Sequence, residues 1–118
     1  MIATILPGST NFHAVGYNER KVAKGTARLL EIKNFGTLGT FGKPTPDELV
    51  CYLMEYTSRN DRIQKPQFHV AFSCKGHEMS ESEVLEFAHQ YLKEMGYMEE
   101  GQPLLAYSHY DTDNTHVH

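Results

Sequence analysis

Residues 109–118 have the sequence HYDTDNTHVH, and this stretch predicts a β-hairpin. Residues 111–114 carry the Asp and Asn side chains that are typical of tight turns. His116 and His118 are two residues apart, so both project from one face of the second strand, because side chains alternate along a strand. His109 ends the first strand, and the turn brings it back toward the other two. The pattern therefore predicts that three imidazoles meet.

Three neutral imidazoles that meet form a site for a divalent ion with open coordination positions, which is typical of catalytic metal sites. A His-x-His triplet alone is weakly specific, and histidines on a surface loop are the alternative interpretation. The longer pattern over residues 109–118 is more specific. Asp111 is a candidate to orient a ligand imidazole through its second nitrogen. Turn formation is the alternative role for Asp111, and it is the favoured role for Asp113.

The residues before the hairpin predict alternating strands and helices. Two capping boxes mark helices that begin after Thr45 and Ser80. An earlier helix is expected to have its cap among residues 9–11, as Ser9, Thr10 or Asn11, and to stop at Gly25. The predicted elements are, in chain order, a strand over 1–6, a helix over 11–24, a strand over 26–33, a loop over 36–42, a helix from 46 that ends at 59–62, a strand over 67–74, a helix over 81–96 and a strand over 103–109.

These elements predict one α+β domain over residues 1–118. We expect a central antiparallel-dominated sheet with the helices packed on one face, while the other face carries the histidines. The strand over 67–74 has apolar residues on both faces, so it is expected in the interior of the sheet. On that strand, His69 is expected to be a satisfied core histidine. Contact of His69 with DNA or with the surroundings of a metal is the alternative.

The composition is typical of a single globular domain, with 118 residues of which 40% are hydrophobic. No apolar run reaches the length of a membrane span, and residues 1–6 lack the basic lead of a signal peptide. Cys51 and Cys74 match no metal spacing. We therefore expect them to be buried free thiols in the reducing cytoplasm.

The charge distribution is uneven. The net charge is −4, which is unusual for a protein that binds nucleic acid. Acidic residues concentrate over 78–100, whereas five basic residues lie early in the chain, namely Arg20, Lys21, Lys24, Arg28 and Lys33. Such segregation is compatible with DNA contact on one face, and solvated helix faces explain both runs equally well. Composition alone therefore does not indicate a nuclease.

Two motifs together resemble the relaxases, the mobilisation nucleases of the HUH endonuclease superfamily. The superfamily is named for a His-hydrophobic-His triplet, here residues 116–118, and His109 matches the third ligand. Residues 11–22, NFHAVGYNERKV, resemble the N-terminal nucleophile motif, with Tyr17 at the nucleophile position. The resemblance covers essentially the whole chain and is closest to mobilisation proteins of the Bacteroides type. Because relaxases continue beyond this strand, we expect the chain to be the N-terminal part of a relaxase nuclease domain, truncated at the His-x-His strand.

The resemblance implies site- and strand-specific nicking of single-stranded DNA at a transfer origin, which initiates plasmid or transposon mobilisation. Tyr17 would attack a phosphodiester and form a 5′-phosphotyrosyl link. Mg²⁺ or Mn²⁺ held by the three histidines would stabilise the charge of the transition state. Phosphate recognition is assigned to basic residues near Tyr17, namely Arg20, Lys21 and Lys24. Auxiliary mobilisation proteins and a homodimer through an open sheet edge are the further partners considered, and no membrane partner is expected.

Alternatives to this interpretation stay open. Tyr17 could be an ordinary half-buried aromatic of an amphipathic helix, and His13, one helical turn earlier, is a second candidate nucleophile. The chain could be a catalytically inactive relaxase remnant that binds metal or DNA or dimerises. A replication initiator of the same superfamily ranks lower, because its tyrosine follows the histidines. A zinc hydrolase without tyrosine chemistry is the third alternative. It predicts a metal-dependent phosphoesterase activity that persists in a Tyr17→Phe variant.

Overall fold

The computed structural model describes residues 1–58, 67–98 and 101–118, and it contains eight helices and strands in these ranges. They are β1 (Ile2–Leu6), α1 (His13–Ala23), β2 (Ala27–Lys33), α2 (Pro46–Thr57), β3 (His69–Cys74), α3 (Glu81–Glu94), β4 (Leu104–His109) and β5 (Thr115–Val117). Each lies close to its predicted position. The end predicted for the second helix, at residues 59–62, lies outside the described residues.

The five strands form one sheet in the order β1-β3-β5-β4-β2, and each neighbouring pair is antiparallel. The predicted α+β class with an antiparallel sheet is therefore confirmed. β4 and β5 form the predicted hairpin, in which His109 is paired with His116. On its other side His116 is paired with Ser73 of β3. The short strand β5 thus lies at the centre of the sheet, and β3 is interior as expected.

Helix α3 covers one face of the sheet. Val84, Ala88 and Leu92 recur every four residues along α3 and are buried, which gives the helix an apolar stripe. They pack in one cluster with sheet residues that include Phe72 and Val117. Burial of such a stripe contributes about 1.5–3 kcal/mol for each large aliphatic side chain. This face holds β5 in place from the side opposite the histidines.

A second cluster lies on the other face and joins α1 to α2. It contains Val15 of α1 and Leu49 and Leu53 of α2, with Leu105 of β4 packed against it. Leu105 and His109 project from the same face of β4, because they are four residues apart. α3 takes the expected position opposite the histidines, whereas α1 lies beside them. The reason is that Val15 of α1 belongs to the cluster against which Leu105 packs, which places α1 on the same face of the sheet as the histidines.

The start of α1 differs from the prediction. Phe12 occupies the N-cap position with φ 57° and ψ 46°, and no side chain caps the helix there. None of the predicted caps, Ser9, Thr10 or Asn11, takes that position, because burial of the Phe12 ring in the second cluster decides where the helix begins. The first amide groups of α1 are satisfied instead by Ser9, whose Oγ accepts from the N–H of His13 at 3.3 Å, and by Gln67, whose Oε1 accepts from the N–H of Ala14 at 2.9 Å.

The end of α1 agrees with the prediction. Gly25 has φ +79°, and its N–H donates to the carbonyl of Val22. The N–H of Thr26 donates to the carbonyl of Lys21. This pattern is a glycine stop of the Schellman type, for which a positive φ suits glycine. The helix therefore has a fixed length, and β2 begins directly after it.

The two cysteines have different environments. Cys74 on β3 is buried and free, as predicted. Cys51 is free but exposed, so the prediction that both thiols are buried is wrong for Cys51. The reason is its position on α2, whose buried side consists of Leu49 and Leu53.

Within the described residues, no helix is long and apolar enough to cross a membrane.

Candidate metal centre and nucleophile

The hairpin brings three imidazoles together. His109 at the end of β4 and His116 and His118 at β5 each offer one ring nitrogen, and these nitrogens all lie within 4.8 Å of one another. The Nε2 atoms of His116 and His118 are 3.1 Å apart. The rings of His109 and His118 are stacked, with their centroids 4.0 Å apart and an angle of 14° between the ring planes. The predicted convergence of these residues is thus present.

The separation of the nitrogens fits a shared metal ion. Two imidazole nitrogens that bind one ion at about 2.1 Å lie roughly 3.0–3.4 Å apart, depending on the coordination angle. The 3.1 Å between Nε2 of His116 and Nε2 of His118 falls in this range. Nδ1 of His116 is buried and has no hydrogen-bond partner among the described residues. The donor set consists of nitrogen atoms, which first-row divalent metals accept.

Burial keeps the histidines in the protonation state that metal binding requires. It lowers the pKa of His118 to about 3 and the pKa of His109 to about 4, and it also lowers the pKa of His116. A neutral imidazole offers a lone pair to a metal, whereas an imidazolium does not. The cluster is therefore neutral at pH 7.

Among the described residues, two side chains outside the cluster contact it through hydrogen bonds. Nε2 of His69, on β3, lies 2.9 Å from Nδ1 of His118. Nε2 of His109 is hydrogen-bonded to Oδ1 of Asn18 on α1. His69 is thus half-buried and contacts the cluster directly. This position agrees with the alternative interpretation of His69, a residue beside the candidate metal ligands, more than with a core histidine.

Asn18 was not identified from the sequence. It is buried, with 3% of its surface exposed, although it follows the exposed Tyr17 directly. A single asparagine in a helix gives no pattern that distinguishes it from a surface residue. The one available signal is position, since residue 18 points about 100° away from residue 17 around a helix and so faces the sheet when Tyr17 faces outward.

Tyr17 lies on α1 at the border of the cluster. Its side chain is 46% exposed, and its ring centroid is 6.4 Å from that of His109. The ammonium group of Lys21, one helical turn later, is 5.0 Å from the centre of the Tyr17 ring. The phenol is therefore accessible from solvent and has both an imidazole and a cation beside it.

Asp111 is paired with Lys21. Its carboxylate accepts a hydrogen bond from the Lys21 ammonium group. This hydrogen bond raises the pKa of Lys21 and lowers the pKa of Asp111, so both are charged at neutral pH. In the described residues, Asn18 and His69 are the residues outside the cluster that hydrogen-bond to its imidazole nitrogens. Asp111 instead connects the turn of the hairpin to α1.

The remaining candidates share one side of α1. Arg20, Lys21 and Lys24 follow Tyr17 by three, four and seven residues, which places all of them on the same helical face. Arg20 and Lys24 are exposed. His13, the second candidate nucleophile, is also exposed and lies one turn before Tyr17. The structure thus places the basic residues on the exposed side of α1 that carries Tyr17. The three histidines lie together on the neighbouring face of the sheet.

Comparison with known protein families gives one match. The family model described as relaxase, MobA/VirD2-like, nuclease domain, matches residues 17–118. The matched range begins at Tyr17 and includes the three histidines of the cluster. No curated protein and no solved structure gives a significant match to the chain.

Proposed function

The chain belongs to the relaxase family of MobA/VirD2-like nuclease domains, and we propose that it nicks one strand of DNA at a specific site to initiate plasmid or transposon mobilisation. The substrate would be single-stranded DNA at a transfer origin, in the cytoplasm. The observation that carries the proposal is the position of Tyr17, whose ring lies 6.4 Å from that of His109 in a cluster of neutral imidazoles.

The proposed reaction is a transesterification. The hydroxyl oxygen of Tyr17 forms a bond to phosphorus, and the bond from phosphorus to the 3′-oxygen breaks. The products are a 5′-phosphotyrosyl link and a free 3′-hydroxyl group. The phenol proton leaves to solvent, and the departing 3′-oxygen takes up a proton, so the reaction is balanced without a further reactant. Attack by the 3′-hydroxyl on the link reverses the step.

His109, His116 and His118 would hold a divalent ion. When bound, Mg²⁺ or Mn²⁺ supplies positive charge to the non-bridging oxygens of the phosphate. The nitrogen donor set favours Mn²⁺ over Mg²⁺, because Mg²⁺ prefers oxygen ligands. His69 orients His118 through the hydrogen bond to Nδ1, which leaves Nε2 of His118 on the side of His116.

Lys21 has a more specific role in this proposal than a general phosphate contact. Phenols ordinarily ionise near pH 10, so an attacking tyrosine needs help at neutral pH. The Lys21 ammonium lies 5.0 Å from the centre of the Tyr17 ring, so its positive charge would stabilise the negative charge that develops during the attack on the phosphate. Asp111 would act through Lys21, because its carboxylate holds the ammonium group in place.

Arg20 and Lys24 would bind the DNA backbone. Both are exposed on the helical face that carries Tyr17, and phosphate contacts of this kind position DNA without reading its sequence. Binding of auxiliary mobilisation proteins is a further prediction. A homodimer through an open sheet edge is supported by β1, an edge strand on which Ile2 and Ile5 are exposed. The same edge would allow dimerisation in the alternative case, in which the chain is catalytically inactive and only binds metal or DNA.

The test is a covalent trapping experiment. The protein is incubated with Mn²⁺ and a pool of randomised single-stranded oligonucleotides labelled at the 3′ end, and denaturing gels detect label that stays on the protein. We expect an adduct that Tyr17→Phe and His116→Ala abolish. Tyr110→Phe is the matched control, because Tyr110 is 49% exposed against 46% for Tyr17, and it should retain the adduct.

Two results would contradict the proposal. An adduct that persists in Tyr17→Phe would move the nucleophile elsewhere, with His13 as the next residue to test. Cleavage without any adduct, unchanged in Tyr17→Phe, would indicate a metal-dependent hydrolase that uses water instead of tyrosine.

A further inference from the structure

We propose that Asn18 is a positioning residue that fixes the tautomer of His109 and thereby decides which nitrogen of His109 faces the metal. The inference rests on the proposed function only in its last part, since the tautomer is a property of the metal-free protein. It adds to the site a residue from α1, the helix that carries Tyr17.

The orientation of the Asn18 amide follows from its two hydrogen bonds. Nδ2 of Asn18 donates to the backbone carbonyl of Ala14 at 2.8 Å. A carbonyl oxygen only accepts, so the NH₂ group of the amide must be on this side. Oδ1 of Asn18 is consequently the atom that contacts His109.

The tautomer of His109 follows from this orientation. Oδ1 of Asn18 also only accepts, so Nε2 of His109 must carry a hydrogen atom. A neutral imidazole has one N–H, which leaves Nδ1 of His109 with the lone pair. Nδ1 is then the atom that binds a metal, as in sites where the second ring nitrogen is held by a protein carbonyl.

The same hydrogen bond connects the nucleophile to the metal centre. Asn18 follows Tyr17 in the chain and is buried with its side chain on His109, while Tyr17 stays exposed. Because an α-helix is rigid over two residues, the contact between Asn18 and His109 sets the distance from the Tyr17 ring to the imidazoles. Loss of this contact should affect the metal centre and the approach of Tyr17 together.

A matched control exists on the same helix. Gln67 is a second buried amide that contacts α1, since its Oε1 accepts from the N–H of Ala14. It is 8% exposed and its hydrogen bond goes to the backbone of α1, not to an imidazole. Gln67→Ala therefore removes a comparable hydrogen bond of α1 without touching His109.

The experiment measures the histidine tautomers by ¹⁵N NMR in the metal-free protein and the Mn²⁺ affinity by calorimetry. In the wild type we expect a proton on Nε2 of His109 and none on Nδ1. Asn18→Ala should give a mixture of tautomers and about a tenfold loss of Mn²⁺ affinity. Asn18→Asp keeps the acceptor oxygen and should keep the Nε2–H tautomer. Gln67→Ala should change neither property.

The outcomes separate this inference from the proposed function. A wild-type protein that binds no Mn²⁺, but loses the single tautomer in Asn18→Ala, would contradict the metal centre and support the role of Asn18. A wild-type His109 protonated on Nδ1 would overturn the inference even if the variants fail to fold. An unchanged tautomer in Asn18→Ala, or an equal change in Gln67→Ala, would also overturn it.

Discussion

The four-residue spacing between Tyr17 and Lys21 places these side chains next to each other on α1. The Lys21 ammonium contacts the Tyr17 ring on one side and the Asp111 carboxylate on the other. A cation that is held beside the attacking group stabilises the negative charge that develops during phosphoryl transfer. Lys24 lies on the same helical face, is exposed, and has no such contact with Tyr17 among the described residues.

This difference predicts distinct effects for two lysine substitutions. Lys21→Gln should slow formation of the DNA adduct about tenfold at saturating DNA, which equals ~1.4 kcal/mol of transition-state stabilisation. Lys24→Gln should leave that rate unchanged and weaken DNA binding with a smaller dependence on salt. Single-turnover kinetics at several DNA and salt concentrations measure both effects. Equal effects of the two variants on binding alone would show that Lys21 is only a phosphate contact.

Residue-scale chemistry was predictable where it depends on local spacing. The period of two along a strand was sufficient to bring His116 and His118 together, and the turn at residues 111–114 returned His109 to them. The partners of these histidines were not all predictable. Asn18 contacts His109 only because that side of α1 faces the sheet, and the sequence of α1 does not reveal which strand it will meet.

The helices differ in how their starts are determined. α2 and α3 each begin with a complete capping box, at Thr45 and Ser80, in which side-chain and backbone hydrogen bonds are both present. These contacts lie within four residues, so the sequence predicted both starts. α1 begins at Phe12, in a left-handed conformation that the buried ring maintains. That start depends on tertiary packing, which explains why the predicted caps were wrong.

Removal of a capping box should lower the stability of the protein without changing the geometry of the histidine cluster. Ser80→Ala removes the acceptor for the N–H of Glu83 and should reduce the free energy of unfolding by ~1 kcal/mol. α3 lies on the face opposite the histidines, so the Mn²⁺ affinity should be unchanged. Thr45→Ala removes the corresponding acceptor for the N–H of Glu48 at the start of α2 and should lower the stability by a similar amount. Urea denaturation and calorimetry check the two quantities, and a parallel fall of affinity and stability would contradict this separation.

At the scale of the whole molecule, the sheet order puts the histidine strand at the centre and the basic face of α1 beside it. The antiparallel α+β architecture was predictable from the alternation of elements and from the hairpin. The position of α1 on the histidine face was not, because it depends on the pairing of its apolar side with Leu105. The net charge of −4 is compatible with DNA binding because the cations gather near Tyr17.

The measurement that tests the central claim most directly is a calorimetric titration of Mn²⁺ into the wild-type protein and into His116→Ala. If His109, His116 and His118 form a metal centre beside Tyr17, the wild type will bind one Mn²⁺ per chain with a saturable isotherm. The same titration of His116→Ala will show no saturable binding. Absence of binding in the wild type, or equal binding in both proteins, would contradict the account.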